Sequence, residues 1–99
     1  MSLSSIYTEL HRRARETGED RAADLKGGAR LSVRVREDVT TITIARKGKR
    51  LGATEIVTFQ NHCGVPATAI RFPQEGQNTR DAEGATWHYI AFRWREEST

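Results

Sequence analysis

The first segment of the chain spaces its hydrophobic residues as an amphipathic helix does. In SSIYTELHRRARETG, Ile6, Leu10 and Ala14 stand four residues apart, so one helical face would carry all three. Gly18 can end this helix, because glycine tolerates the left-handed conformation of a C-terminal cap. The following EDRAADLKGG predicts a short second helix or a continuation of the first. We therefore expect residues 4–27 to be helical, with a break near Gly18.

From residue 30 the hydrophobic period changes to two, which is typical of β-strands. In RLSVRVRE, Leu31, Val33 and Val35 share one face, and polar residues share the other. A tight turn at Glu37–Asp38 leads to VTTITIAR, which is rich in β-branched residues. RKGKR is then predicted to be the tip of a β-hairpin, followed by a third strand, TEIVTFQ.

The C-terminal third predicts one short strand, two loops and one long strand. Residues 61–67 read as a loop, ATAIRF as a short strand that Pro73 ends, and residues 73–85 as a polar surface loop. TWHYIAFRWR is the strongest strand signal in the chain. One face of this strand carries His88, Ile90, Phe92 and Trp94 and is the better candidate for burial in the core. The other face carries Trp87, Tyr89, Arg93 and Arg95.

Together these elements predict an α+β fold. The N-terminal helix would pack on one face of a four- to five-stranded, meander-like antiparallel sheet built from residues 30–95. A chain of 99 residues is the size of a single domain. Residues 1–3 carry no weight in this prediction, since such a segment can be left over from cloning.

Composition predicts a cytoplasmic protein. The single cysteine, Cys63, cannot form an internal disulfide, and no apolar run approaches the roughly 18 residues of a membrane span. No signal-peptide pattern begins the chain, so we expect no membrane association. Arginine outnumbers lysine 13 to 3, which suggests a GC-rich bacterial genome.

Positive charge is concentrated in the second quarter of the chain. The net charge is +3, but residues 29–52 alone carry seven cations and two anions. Such a field favours an anionic partner. The cations that would contact nucleic-acid phosphates are Arg46, Lys47, Lys49 and Arg50, supported by Arg34 and Arg36. The alternative is that RKGKR is only a well-solvated turn.

The outward face of the last strand offers a second candidate surface. Trp87 and Tyr89 beside Arg93 could stack on bases while the cations hold phosphates. One helix cannot cover both faces of a sheet, so the same residues could instead lie in the interface of a homodimer. The chain would then be a protein-interaction module, an adaptor or an inhibitor of another macromolecule.

Catalytic and metal signatures are weak in this sequence. Cys63 has two candidate bases, but His62 is its immediate neighbour and points away on an extended chain, and His88 is distant in sequence. The histidines and the cysteine lack the spacing of metal ligands, and the glycines form no phosphate-binding loop. We therefore predict a small non-enzymatic binding protein without metal or cofactor. Cys63-dependent catalysis remains the third hypothesis.

Overall fold

The computed structural model describes residues 2–80 and 82–96. The elements in chain order are α1 (Leu3–Thr17), β1 (Arg21–Asp24), a 3-10 turn (Lys26–Gly28), β2 (Ala29–Arg36), β3 (Val39–Lys47), α2 (Ala53–His62), β4 (Ile70–Arg80) and β5 (Thr86–Arg95). The strands form one antiparallel sheet in the order β1-β2-β3-β5-β4. This arrangement confirms the predicted α+β fold, with an N-terminal helix on an antiparallel sheet.

Helix α1 has the buried face that its spacing predicts. Leu10 and Ala14 are buried in the core. The Oγ of Ser2 accepts a hydrogen bond from the backbone N–H of Ser5 (3.2 Å), so one of the residues given no weight is the N-terminal cap. Gly18 adopts a φ of 70° and donates its N–H to the carbonyl of Ala14 (2.8 Å). The predicted end of the helix at this glycine is confirmed.

The helical segment expected after Gly18 is a strand instead. In β1, Arg21 pairs opposite Val33 and Ala23 pairs opposite Leu31. The left-handed Gly18 turns the chain back along β2, whose outer backbone groups would otherwise lack partners in the sheet. Pairing with this edge outweighs the helix preference of Ala22 and Ala23, because intrinsic propensity is a small effect that tertiary contacts readily override.

The predicted third strand, TEIVTFQ, is wrong, because this segment lies in α2. Ile56, Phe59 and Cys63 are buried at spacings of three and four residues, which is a helical period. The backbone N–H of Gly52 donates to Glu55 Oε1 (3.1 Å), which stabilises the first turn. Burial of this helical face outweighs the β preference of the branched residues. Helix α2 connects β3 to β4, and β5 lies between those two strands.

The β2–β3 hairpin agrees with the sequence. Arg36 pairs opposite Val39, so Glu37 and Asp38 alone form the turn. Their φ angles are 50° and 65°, as a tight two-residue hairpin requires. The predicted turn at Glu37–Asp38 is confirmed.

Strand β4 is longer than predicted. It runs from Ile70 to Arg80 and passes Pro73, at which the sequence predicted an end. The register with β5 shifts between Phe72 and Gln77, and β4 is the edge strand, so the missing N–H of proline is tolerated there. The expected loop over residues 73–85 is therefore mostly strand, and its residue 81 lies outside the described part of the chain.

Both helices contribute to one core on a single side of the sheet. The buried hydrophobic residues there are Leu10, Ala14, Ala29, Leu31, Val33, Val35, Ile42, Ile44, Ile56, Phe59, Cys63, Ile90 and Phe92. We call the opposite side of the sheet the open face. Neither described helix is long and apolar enough to cross a membrane.

Candidate functional site

The open face carries the two aromatic residues that the alternation of β5 assigned to it. Trp87 lies opposite Lys47 of β3, and Tyr89 lies opposite Ala45. Between them the strand turns His88 to the other side, and the next inward residue, Ile90, pairs with Ile44 in the core. Both aromatic side chains are half-buried. The strand order therefore brings Trp87 and the start of RKGKR to the same surface.

Phe72 and Arg30, which were not among the predicted site residues, also lie on this surface. Phe72 of β4 lies opposite Ala91, so its half-buried ring faces the same way as Tyr89. The guanidinium carbon of Arg93 is 5.4 Å from the centroid of the Phe72 ring. That of Arg30 is 5.3 Å from the Trp87 ring. Both are cation–π distances. Arg30 shares its face with the other outward arginines of RLSVRVR, and that alternation could have identified it.

Small side chains form the floor of the open face. Thr41, Thr43 and Ala45 point outward from β3, and Ala91 does so from β5. Larger side chains stand on either side, with arginines on β2 and aromatic residues on β5 and β4. The result is a shallow depression at the centre of the open face, with arginines on its β2 side and aromatic residues on its β5 and β4 side.

The RKGKR segment does not form the predicted hairpin tip, because it connects β3 to α2. Arg46 points toward the helices, and its Nη1 donates to Glu55 Oε1 (2.6 Å), with a second contact from Nη2 to Oε2. Its side chain is only 16% exposed, so this guanidinium is committed to a carboxylate within the fold. Lys47, by contrast, lies on the open face beside Trp87.

The remaining two cations of the segment are exposed. Lys49 and Arg50 follow Gly48, whose backbone N–H donates to the carbonyl of Thr86 (2.7 Å). This bond anchors the basic segment at the end of β5 where Trp87 lies. In the described part of the chain, neither cation forms an ion pair, and neither does Lys47.

The arginines of the open face fall into two groups. Arg34 donates from Nε and Nη2 to the two carboxylate oxygens of Asp20 (2.6 and 2.8 Å), and Arg30 donates to Asp24 (2.8 Å). The hydrogen bonds from Arg34 lower the pKa of Asp20, so this carboxylate is ionised at neutral pH. The second group has no ion pair within residues 2–80 and 82–96, and comprises Arg36, Arg93 and Arg95.

Cys63 lies in a different place from the open face. It is 2% exposed at the end of α2, and burial raises the pKa of its thiol to about 12. It lines a cavity of about 300 Å³ with His11, Tyr7 and Trp94 among its neighbours. The histidine near Cys63 is therefore His11. Neither His62, which is exposed, nor His88, which pairs opposite Arg46 near the other end of β5, shares that cavity.

Glu96, which lines this cavity just after β5, forms hydrogen bonds to residues of β3 and α1. The Glu96 carboxylate accepts hydrogen bonds from Thr40 Oγ1 (2.7 Å), from His11 and from Arg15. Burial, together with the charge of Arg15, lowers the pKa of His11. These bonds attach the end of β5 to α1.

We expect alkaline pH to destabilise the protein through Cys63. Its folded pKa of about 12 lies above the ordinary value of 9.0, so its contribution to stability is complete below pH 9 and is lost as the pH rises toward 12. Urea unfolding of the wild type and of Cys63→Ala between pH 8 and 11 tests this. The curve of the variant should fall less steeply with pH. Parallel curves, or rapid reaction of the native thiol with a thiol probe at pH 8, would contradict it.

Among the described residues, no group of three or more His, Cys, Asp or Glu side chains is arranged to hold a metal ion. No family model matches the chain, and neither a curated protein nor a solved structure matches it either.

Proposed function

We propose that the protein binds single-stranded nucleic acid on the open face of its sheet. The observation that supports this most is the presence of three aromatic side chains, Trp87, Tyr89 and Phe72, on the face opposite both helices, with arginines and a lysine beside them. Aromatic rings stack on unpaired bases, and cations beside them contact the phosphates.

The spacing of the rings suits an extended strand. Trp87 and Tyr89 are two residues apart on β5, so their Cα atoms are separated by about 6.6 Å. Phe72 continues the series from β4, opposite Ala91, at the next step along the sheet. Neighbouring bases of an unstacked strand can each meet one ring on such a path.

A single strand fits this surface better than a duplex does. The two-stranded cationic ribbon that could enter a major groove is not formed, because RKGKR leads into a helix. What the fold offers instead is a broad sheet surface with small side chains at its centre. Bases inside a duplex cannot stack on such a platform, since they are already stacked on each other.

The cations have distinct roles in this proposal. Lys47, Lys49 and Arg50 hold the phosphates at the Trp87 end of the open face, and Arg36, Arg93 and Arg95 do so toward its other end. Arg46 has no direct role, because Glu55 already holds its guanidinium. Its function is to keep α2 against the end of β3.

Fluorescence anisotropy with labelled single-stranded and double-stranded oligonucleotides tests the proposal. We expect salt-sensitive binding of the single strands between about 50 and 200 mM salt. Neutralising Lys47, Lys49 and Arg50 with serine should remove three phosphate contacts, which makes the slope of log K against log salt shallower by about 2.

A matched control removes three cations from the other side of the molecule. Arg12 and Arg13 are exposed on α1, and Arg71 is an exposed residue of β4 at a position that faces the helices. Replacing these three with serine gives the same change in net charge and should leave the salt slope nearly unchanged. Equal weakening by both triple variants, or no binding to single strands at low salt, would contradict the proposal.

A second candidate function is a homodimer formed through the open face. Ile70, at the edge of that face beside Arg93, is 57% exposed, and such apolar surface is also found in interfaces. Light scattering on the same samples separates the two functions. A dimer that dissociates on Trp87→Glu and binds no oligonucleotide would favour the interaction module.

A further inference from the structure

A small pocket on the open face has the chemistry to read one base. Its volume is about 200 Å³, which leaves room for several waters or for a flat ring system such as a base. The residues that matter among its lining are Asp20, Ser32, Arg34, Thr41, Thr43 and Phe72. The pocket crosses the sheet from Arg34 on β2 to Phe72 on β4, so it lies on the proposed binding path.

The hydroxyl groups of this pocket are available to a ligand. Within the described part of the chain, Ser32, Thr41 and Thr43 form no side-chain hydrogen bond. Each hydroxyl can both donate and accept, so these groups fit the polar edge of any base without selecting one. Selection has to come from the charged pair at the end of the pocket.

Asp20 and Arg34 form that pair, and it is unsuited to a phosphate. The two hydrogen bonds of 2.6 and 2.8 Å join Nε and Nη2 of the guanidinium to both carboxylate oxygens. The pair is neutral overall, and its carboxylate repels a phosphate. The remaining N–H groups of the guanidinium, on Nη1 and Nη2, form a second planar fork. Since Asp20 holds the side chain in place, less freedom is lost when that fork binds.

We infer that Arg34, held by Asp20, reads the O6 and N7 atoms of a guanine placed in this pocket, with Phe72 beside the base. Arginine binds these two acceptors in a bidentate way, and adenine presents a donor where guanine presents O6. This inference rests on the proposed function and adds a preferred base to it. The protein would bind single strands of many sequences and favour those with a guanine at the position over Ser32 and Thr43.

Anisotropy with matched oligonucleotides tests the inference. The probes are strands of about ten uridines, within the site sizes known for small β-fold binders, with or without one central guanosine, and their deoxy equivalents with thymidine. We expect the strand with guanosine to bind about tenfold more tightly. Inosine should retain that gain, because it keeps O6 and N7, and 7-deazaguanosine should lose most of it.

The variants separate this inference from the proposed function. Arg34→Lys keeps the charge but lacks the fork, so it should lose the guanine preference and still bind the all-uridine strand. Arg36→Lys, the same change two residues along the strand on the same face, is the control and should retain the preference. A guanine preference that survives Arg34→Lys, or equal affinity of the wild type for both strands, would overturn the inference and leave the proposed function intact. Failure to bind either strand would overturn both.

Discussion

Replacing Phe92 with alanine is expected to lower the free energy of unfolding by about 3–5 kcal/mol. Phe92 is only 2% exposed and is among the largest fully buried side chains of the described chain. It pairs opposite Ile42 in the middle of the sheet, under the helices, so its removal leaves a cavity that the rigid strands cannot close. Small domains have total stabilities of about 5–15 kcal/mol, and urea denaturation would show the loss directly.

Two neighbouring substitutions are controls for that measurement. Phe92→Leu keeps most of the buried volume and should cost clearly less than the alanine change. Arg93→Ala changes the next residue, which points to the open face, and should alter stability by about 0.5 kcal/mol or less. If Phe92→Ala unfolds at the same urea concentration as the wild type, the assigned core face of β5 is wrong.

Removal of both aromatic residues of β5 from the open face is expected to weaken binding of single strands at least 30-fold. Each stacked base contributes about 1–3 kcal/mol by alanine substitution, so Trp87→Ala with Tyr89→Ala should cost about 2–6 kcal/mol. The slope of log K against log salt should stay the same, because the phosphate contacts are intact. Anisotropy at low salt measures both quantities.

The two tryptophans of the chain provide an internal control. Trp94 alternates to the helix-facing side of β5 and packs against the core, whereas Trp87 lies on the open face. In Trp94→Phe the fluorescence reports Trp87 alone and should be quenched by a bound oligonucleotide. In Trp87→Phe the signal of Trp94 should change little. Quenching of Trp94 instead, or a loss of affinity from Trp94→Phe equal to that from Trp87→Phe, would contradict the assigned surface.

Alanine at both positions could also reduce folding, since the two rings are half-buried. The milder pair Trp87→Leu and Tyr89→Leu keeps apolar volume on the sheet and removes only the stacking planes. A folded leucine variant, judged by its melting curve, should still lose most of the affinity for single strands. Unchanged affinity in that folded variant would show that the rings do not stack on bases.

The local sequence pattern predicted the conformation correctly in α1 and in the β2–β3 hairpin. Leu10 and Ala14 recur at the helical period, and Gly18 ends the helix because its φ is positive. Glu37 and Asp38 make a two-residue turn between strands that alternate correctly. In such segments the local hydrophobic period or the turn residues specify the conformation, whichever element packs against it.

Local patterns failed where a distant strand or helix decided the conformation. The β-branched residues of TEIVTFQ favoured a strand, yet Ile56 and Phe59 are buried on one face of α2. Two alanines favoured a helix in β1, yet the edge of β2 pairs with them. At Pro73 the sequence predicted an end, but an edge position with a shifted register accommodates it. In each case a weak local preference was outweighed by burial or by backbone pairing.

The sequence by itself determined the fold class, the first helix, the central hairpin and the two faces of β5. Only the tertiary structure decided which chemical groups meet: Lys47 beside Trp87, Arg46 with Glu55, Asp20 with Arg34, and Cys63 near His11. The reason is that alternation along a strand depends on neighbouring residues, whereas these pairings depend on strand order and on how the connections cross the sheet. Backbone pairing between segments far apart in the chain sets that order, and no local period records it.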